Sequence, residues 1–134
     1  MAIRFGTSGW RGILAEDFSF AGARAVSAAV ARWARESGPR PRVVVAHDTR
    51  FLGERFASAA ARVLTAAGVR PIRASGPVPT PVASFAVRHR RAAAGIIFTA
   101  SHNPPEYQGL KVVAPGWWIA VRATVFTSPW KTAS

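Results

Sequence analysis

The chain has 134 residues, of which 49% are hydrophobic, so one folded domain with a substantial core is expected and disorder is not. It contains no cysteine, which excludes disulfides and thiolate metal sites. The formal net charge of +12 allows a nucleic-acid partner, but the arginines are dispersed apart from the short cluster Arg88–Arg91. The alternative interpretation is therefore a basic fragment that binds nucleic acid or has a regulatory role. Outside that alternative, no specific nucleic-acid partner is expected.

The first ten residues, MAIRFGTSGW, lack the apolar segment of a secretory signal. The longest apolar runs are far too short to span a bilayer. These two features predict a cytoplasmic protein without a membrane partner.

Helical and strand patterns alternate along the chain. Phe20–Ser37 has an apolar stripe at helical spacing, and Arg42–Asp48 is a continuous β-branched run typical of a buried strand. The further predicted elements are a helix over Leu52–Ala67, a strand over Val69–Ala74, a helix over Val82–His89, and strands over Ala93–Ala100 and Gly109–Ala114. This alternation predicts a layered α/β sheet without internal repeats.

Two polar segments fall at the ends of predicted strands, and a third lies near the N-terminus. His47–Arg50 ends one strand and Thr99–Tyr107 ends another, and ligands of open α/β sheets bind at the carboxyl ends of strands. The third segment, Gly6–Gly12, contains three glycines that allow a ligand to approach the backbone closely. It is neither a Walker loop nor a Rossmann fingerprint.

Local chemistry leaves two roles open for Ser101. Pro104 and Pro105 stiffen the loop that follows it, and Asn103 tolerates a left-handed backbone, so the hydroxyl would be held rigidly and directed outward. The serine either caps a turn or acts as a nucleophile that carries a phosphate. A phosphate there would need cationic neighbours.

Several cationic side chains could meet that need, although each also has an ordinary explanation. His102 could be a turn histidine, Lys111 a solvated edge lysine and Arg11 a surface arginine. Lysine, unlike arginine, loses its proton when desolvated, so a lysine among so many arginines favours a chemical role for Lys111. Asp48 and Arg50 are interpreted as a structural ion pair at a strand end.

Four segments occur in the order and spacing of one enzyme family. They are FGTSGWRG, HDTRF, PVPTP and TASHNPPEYQGLKV. Over about residues 3–113, the chain resembles the first domain of the four-domain α-D-phosphohexomutases, in particular their bacterial phosphoglucomutase/phosphomannomutase branch. The resemblance implies the fold class: α/β, a three-layer α/β/α domain with a mixed, mostly parallel sheet.

The resemblance also implies a reaction and its cofactor. Ser101 matches the family's phosphoserine, which exchanges a phosphoryl group with hexose 1- and 6-phosphates through a hexose 1,6-bisphosphate. Mg²⁺ would contact the seryl phosphate, so Ser101 would be the metal ligand in this chain. The other ligands in the family are aspartates of a later domain.

Further site residues follow from matching positions in the family. His102, Lys111 and Arg11 match active-site positions, the last two as candidates for moving protons or supporting transition-state charge. The positions implied to bind substrate or phosphate are Thr7, Ser8 and Asn103. The positions implied to shape the site without reacting are Asp48 and Arg50.

Residues 114–134 depart from the family pattern. They contain three of the five tryptophans and no acidic residue. The bases TGGTGG of Trp117-Trp118, read one base later, encode Gly-Gly, which is the turn that the family uses here. We therefore expect a domain over residues 1–113 followed by an aberrant tail, from a frameshift or truncated frame. Such a chain would lack domains II–IV, which complete the binding of the phosphosugar substrate, and would be inactive alone.

Overall fold

The computed structural model describes residues 3–6 and 9–115. The elements in this part of the chain are β1 (Trp10–Ile13), α1 (Phe20–Glu36), β2 (Arg42–His47), α2 (Gly53–Ala66), β3 (Arg70–Arg73), α3 (Thr80–His89), β4 (Ala94–Phe98) and β5 (Tyr107–Val113). Every predicted helix and strand is present with small shifts of its ends, and β1 is an addition. Most of the predicted tail, from residue 116 on, lies outside the described residues. A search of the described helices finds none with the length and apolar character that crossing a membrane requires.

The strands form one sheet in the order β1-β5-β4-β2-β3. β2 is parallel to β3 and β4, whereas β5 is antiparallel to β4 and β1. The α/β class and the mixed sheet are confirmed, but half of the neighbouring pairs are parallel rather than most of them. The reason is that the chain passes from β4 to β5 through Thr99–Glu106, which is shorter than the crossover that a parallel pair requires.

β1 is the element that the sequence pattern did not reveal. Its four residues pair with Tyr107–Leu110 of β5, and buried positions alternate with half-buried ones along it. Glycines and an arginine interrupt the segment Gly6–Gly12, so its local pattern is that of a polar loop. The partner strand, which is distant in sequence, is what makes these residues a strand.

Helices cover both faces of the sheet and complete the three layers. α1 and α2 pack over the face that includes Val43, Val45 and Ile96, and α3 packs over the face that includes Val44 and Ile97. Neighbouring strand residues therefore enter opposite cores, as the two-residue period of a strand requires. All of β4 is buried, which explains its continuous apolar sequence.

Trp10 ties β1 to the start of α1. Ser19 caps α1, where its hydroxyl accepts a hydrogen bond of 3.1 Å from the N–H of Gly22. A Cβ on Gly22 would lie 2.6 Å from Cη2 of Trp10, so the indole can approach this turn only because the residue is glycine. The Trp10 ring also stacks on Phe18, with the ring centroids 4.2 Å apart.

Phe56 of α2 lies at the centre of the larger core. Its ring centroid is 5.0 Å from that of Phe18, 4.1 Å from that of Phe20 and 5.7 Å from that of Phe98. These contacts join α2 to α1 and to the last residue of β4. The polar segment after β4 therefore begins from a well-packed residue.

We predict that Phe56→Ala lowers the free energy of unfolding by about 3–5 kcal/mol, because it opens a cavity among aromatic rings that cannot close around it. Urea unfolding followed by circular dichroism measures the change. Phe85→Ala is the matched control, since the Phe85 ring is 65% exposed and its loss should cost less than about 1 kcal/mol. Equal losses in the two variants would contradict this description of the core.

Candidate functional site

The two polar segments predicted at strand ends meet at one edge of the sheet. β2 and β4 are adjacent and parallel, so their carboxyl ends lie side by side. The N–H of Asp48 donates a 3.1 Å hydrogen bond to the carbonyl of Phe98, which joins the two ends directly. The turn after β2, Asp48–Leu52, therefore lies beside the loop between β4 and β5, which we call the Ser101 loop (residues 99–107).

Ser101 adopts a left-handed backbone conformation, with φ at 55°. Its N–H donates a 3.1 Å hydrogen bond to Oγ1 of Thr99, and the Thr99 side chain is buried. Ser101 is exposed, and its Oγ makes no hydrogen bond to another described residue. The hydroxyl is thus presented to solvent from a backbone that an L-residue adopts only at a cost of about 1–2 kcal/mol.

Arg50 reaches from the turn after β2 to the carbonyls of the Ser101 loop. Its Nη1 donates to the carbonyls of Pro104 at 2.8 Å and Tyr107 at 3.2 Å. Its Nη2 donates to the carbonyl of Ser101 at 2.9 Å and also to that of Asn103. Two elements that are more than 50 residues apart in sequence are held together in this way.

Asp48 orients Arg50. Oδ1 of Asp48 accepts a 2.9 Å hydrogen bond from the N–H of Arg50, and Oδ2 lies 3.9 Å from Nε of the same arginine. The ion pair that was interpreted from the sequence is therefore present, but its separation is long for a strong contact. The larger role of Arg50 is toward the loop carbonyls.

Arg11 is joined to the Ser101 loop through Asn103. Nη1 of Arg11 donates a 2.9 Å hydrogen bond to Oδ1 of Asn103. Arg11 lies opposite Gly109 in the β1–β5 pair, and a Cβ at Gly109 would come within 3.0 Å of Cγ of Arg11. Because Gly109 has no side chain, the arginine stem can cross β5 toward the loop. Nε of Arg11 is buried and has no hydrogen-bond partner among the described residues.

Lys111 lies on β5 close to Arg11. Burial lowers the pKa of Lys111 below its ordinary value of 10.5, and the positive charge of Arg11 lowers it further. No carboxylate forms an ion pair with Lys111 among the described residues. A lysine in this setting gives up its proton more readily than a solvated one.

The structure brings together some of the predicted site residues and not others. Arg11 is hydrogen-bonded to Asn103, and Lys111 joins this pair through its electrostatic interaction with Arg11. Ser101 is linked to Asn103 through Arg50, which donates to the carbonyls of both. His102 is exposed and makes no hydrogen bond or ion pair within the part of the chain that is described. The predicted positions Thr7 and Ser8 lie outside the described residues.

The described residues do not form a site for Mg²⁺ by themselves. No group of three or more histidine or acidic side chains within residues 3–6 and 9–115 could hold a metal ion. Two carboxylates are near the Ser101 loop: Glu106 lies within it, and Asp48 already accepts a hydrogen bond from Arg50. Since Mg²⁺ prefers six oxygen ligands, the described residues could contribute only a part of its coordination.

Two polar residues of this edge were missed from the sequence. Gln108 is fully buried, where its Nε2 donates a 3.1 Å hydrogen bond to the carbonyl of Phe51 and its Oε1 accepts one from the N–H of Gly109. Thr99 supports the N–H of Ser101. A glutamine within an apolar strand and a threonine two residues before the serine are signals that could have identified them.

Comparisons with known proteins place this geometry in a family. A model of the phosphoglucomutase/phosphomannomutase family, described as its alpha/beta/alpha domain I, matches residues 2–121. The chain is 40% identical over 112 residues to a phosphoglucomutase/phosphomannomutase of Thermococcus kodakarensis, which covers 83% of the chain and 24% of that relative. It is 38% identical over 111 residues to a phosphoglucosamine mutase of Levilactobacillus brevis, with 80% and 24% covered.

A solved structure agrees with these relatives. The crystal structure of a phosphoglucomutase/phosphomannomutase family protein from Burkholderia thailandensis superimposes with a TM-score of 0.80 at 32% identity. The match covers 96% of this chain and 30% of that protein. The chain spans about a quarter of the length of the curated relatives it matches.

The backbone of Ser101 generates a test of stability. We predict that Ser101→Gly is more stable than Ser101→Ala by about 1 kcal/mol, because glycine adopts a φ of 55° without a steric cost and alanine does not. Urea unfolding of the two variants measures the difference. Ser84 in α3 is the matched control, since the order should reverse in a helix, with glycine about 1 kcal/mol less stable than alanine. The same order at both positions would contradict the left-handed conformation of Ser101.

The lowered pKa of Lys111 generates a test of pH dependence. Between the folded pKa and 10.5, the unfolded chain binds more protons than the folded one, so raising the pH through this window stabilises the protein. We predict that Lys111→Met raises the melting temperature at pH 7 and that this gain shrinks as the pH rises toward 10.5. Calorimetry of both proteins over this range measures the gain, and a gain that is constant or grows with pH would refute the prediction.

Proposed function

The chain belongs to the phosphoglucomutase/phosphomannomutase family, of which it carries the α/β/α domain I, and we propose that Ser101 is the phosphoryl carrier of a phosphohexomutase. The observation that carries the proposal is the Ser101 loop itself. It presents a hydroxyl that is not hydrogen-bonded to a described residue, on a residue in the left-handed conformation, two positions before the Asn103 that Arg11 contacts. Phosphoryl transfer depends mainly on position and electrostatics, and a rigid carrier oxygen with cations nearby meets both needs.

The proposed step moves one phosphoryl group between Ser101 and a sugar. The bond between phosphorus and Oγ of Ser101 breaks, and a bond between phosphorus and a sugar hydroxyl oxygen forms. The sugar hydroxyl gives its proton to a base, and Oγ of Ser101 takes up a proton as its bond to phosphorus breaks, so that the serine hydroxyl is restored. In the reverse transfer, Ser101 gives up that proton and the sugar oxygen takes one up. A hexose bisphosphate is then the intermediate, and its second phosphate restores the seryl phosphate.

Lys111 is the proposed proton acceptor in this chain. Its lowered pKa raises the fraction of neutral amine at a given pH, which a general base requires. Arg11 cannot serve in this way, because a guanidinium keeps its proton. Its proposed role is to stabilise the charge on the transferring phosphoryl oxygens through its own positive charge.

The proposal includes Mg²⁺, with the phosphate on Ser101 as its ligand from this chain. The described residues supply no carboxylate cluster to complete the coordination. The chain spans about a quarter of its relatives, so the proposal assigns the other ligands and the recognition of the sugar to segments beyond it. By itself, the chain is proposed to have no appreciable turnover.

A fusion protein tests the role of Ser101. Residues 1–113 replace the corresponding part of the Thermococcus kodakarensis relative, to which the chain is 40% identical. We predict that the fusion converts glucose 1-phosphate to glucose 6-phosphate with Mg²⁺ and glucose 1,6-bisphosphate. Ser101→Ala should lower the rate at least about 10⁴-fold, the scale of losing a reacting nucleophile. A coupled assay measures the rate, and mass spectrometry locates the phosphate.

Ser84→Ala in the same fusion is the matched control, because Ser84 lies on α3 and makes no hydrogen bond to the Ser101 loop, Arg11 or Lys111 among the described residues, so its loss should not affect the rate. The proposal fails if the Ser101→Ala fusion keeps its turnover, or if the phosphate is found on another residue. The unfused chain, assayed in parallel, should show no turnover above the background measured with the Thermococcus kodakarensis part of the fusion alone.

A further inference from the structure

We infer that Arg50 is a positioning residue that holds the Ser101 loop in its reactive shape, and that it does not bind the phosphate. The inference rests on the proposed function for what the loop does, but its physical basis is the set of hydrogen bonds of one guanidinium. Those bonds go to the carbonyls of Ser101, Asn103, Pro104 and Tyr107.

Most of the hydrogen-bond donors of the Arg50 side chain are already occupied. A guanidinium has five N–H groups in a fixed plane. Four of those of Arg50 are directed to the loop carbonyls, and the fifth, on Nε, lies toward Oδ2 of Asp48 at 3.9 Å. The Arg50 side chain is also only 15% exposed. Both terminal nitrogens of Arg50 are thus fully occupied, and only the Nε N–H is without a hydrogen bond. Arg50 therefore has no pair of N–H groups left to bind a phosphate through two parallel bonds.

The Ser101 loop lacks N–H donors at two of its own positions. Pro104 and Pro105 have no N–H, so the loop cannot satisfy its own carbonyls by a regular turn throughout. Within it, the N–H of Asn103 donates to the carbonyl of Ala100, and that of Tyr107 donates to the carbonyl of Pro104. The carbonyls of Ser101 and Asn103 depend on Arg50. The conformation that turns the Ser101 hydroxyl outward is thus set from the neighbouring turn.

A second hydrogen bond joins the two segments in the opposite direction, from the end of the Ser101 loop to the turn after β2. Gln108, at the end of the loop, donates from Nε2 to the carbonyl of Phe51, the residue after Arg50. Gln108 is fully buried, so this bond is costly to lose. Arg50 and Gln108 together fasten the turn after β2 to the Ser101 loop at two points.

Substitution by lysine can distinguish a role of Arg50 in positioning the loop from a role as a positive charge near the phosphate. A lysine at position 50 would keep the positive charge, but its three donors on one nitrogen cannot reach four carbonyls arranged around a planar fork. If Arg50 acts as a cation near the phosphate, Arg50→Lys should preserve function. If it positions the loop, Arg50→Lys should fail nearly as completely as Arg50→Ala.

Hydrogen exchange of the full chain, followed by NMR, is the first test. In Arg50→Ala and Arg50→Lys, we expect the amides of Asn103 and Tyr107 to lose about tenfold to a hundredfold of their protection, the scale of losing charge-assisted hydrogen bonds. Amides of β4 should be unchanged. Arg55→Ala is the control, because Arg55 is exposed on α2 and has no contact with the loop.

Chemical rescue is the second test. Guanidinium at millimolar concentration should restore protection in Arg50→Ala by filling the vacated position, and ammonium should not. Unchanged protection in Arg50→Ala, or full protection in Arg50→Lys, would overturn the inference.

Turnover of the fusion protein is the third test. We expect both Arg50 variants to lower kcat by about a hundredfold, within the range that misplacement of a reacting group produces. KM and the pH profile should stay unchanged, because Lys111 is untouched. If Ser101→Ala leaves the turnover of the fusion unchanged, the proposed function is contradicted. Hydrogen exchange would still decide the role of Arg50 in that case.

Discussion

The hydrogen bonds from Arg50 to the Ser101 loop are the contacts on which the candidate site depends. The loop must turn the chain from β4 into the antiparallel β5 within a few residues, and two of those residues are prolines that donate nothing. Its carbonyls need donors from elsewhere, and the parallel pairing of β2 with β4 brings Arg50 to them. The sheet order is therefore the reason that this loop has one conformation.

Three features at this edge of the sheet lower the stability of the folded protein. Ser101 is held in a left-handed conformation, Nε of Arg11 is buried without a partner among the described residues, and Lys111 is partly desolvated beside a like charge. Such costs persist where the surrounding structure over-determines them. Here the aromatic core around Phe56 and the buried Gln108 do so.

The sequence was informative where local pattern determines structure, and less so where distant residues do. The helices and the strands β2 to β5 follow from periodicity that their own residues carry. β1 does not, because four residues become a strand only through pairing with β5. For Arg50, local chemistry suggested an ion pair with a neighbour in sequence, whereas its main partners lie more than 50 residues away. Gln108 was missed for the same reason, since its partner, the carbonyl of Phe51, belongs to another element.

The arrangement also bears on what one small domain could supply to the proposed phosphoryl transfer. The described residues hold the exposed Ser101, Arg11 and Lys111, a lysine with a lowered pKa, at one sheet edge. They offer no cluster of carboxylates for a metal ion. Adding such carboxylates to this edge would pair with Lys111 and Arg11 and raise the pKa of the base again. In the proposed reaction, metal ligands supplied from outside this domain would avoid that conflict, and the phosphate would be the group that both sets of residues contact.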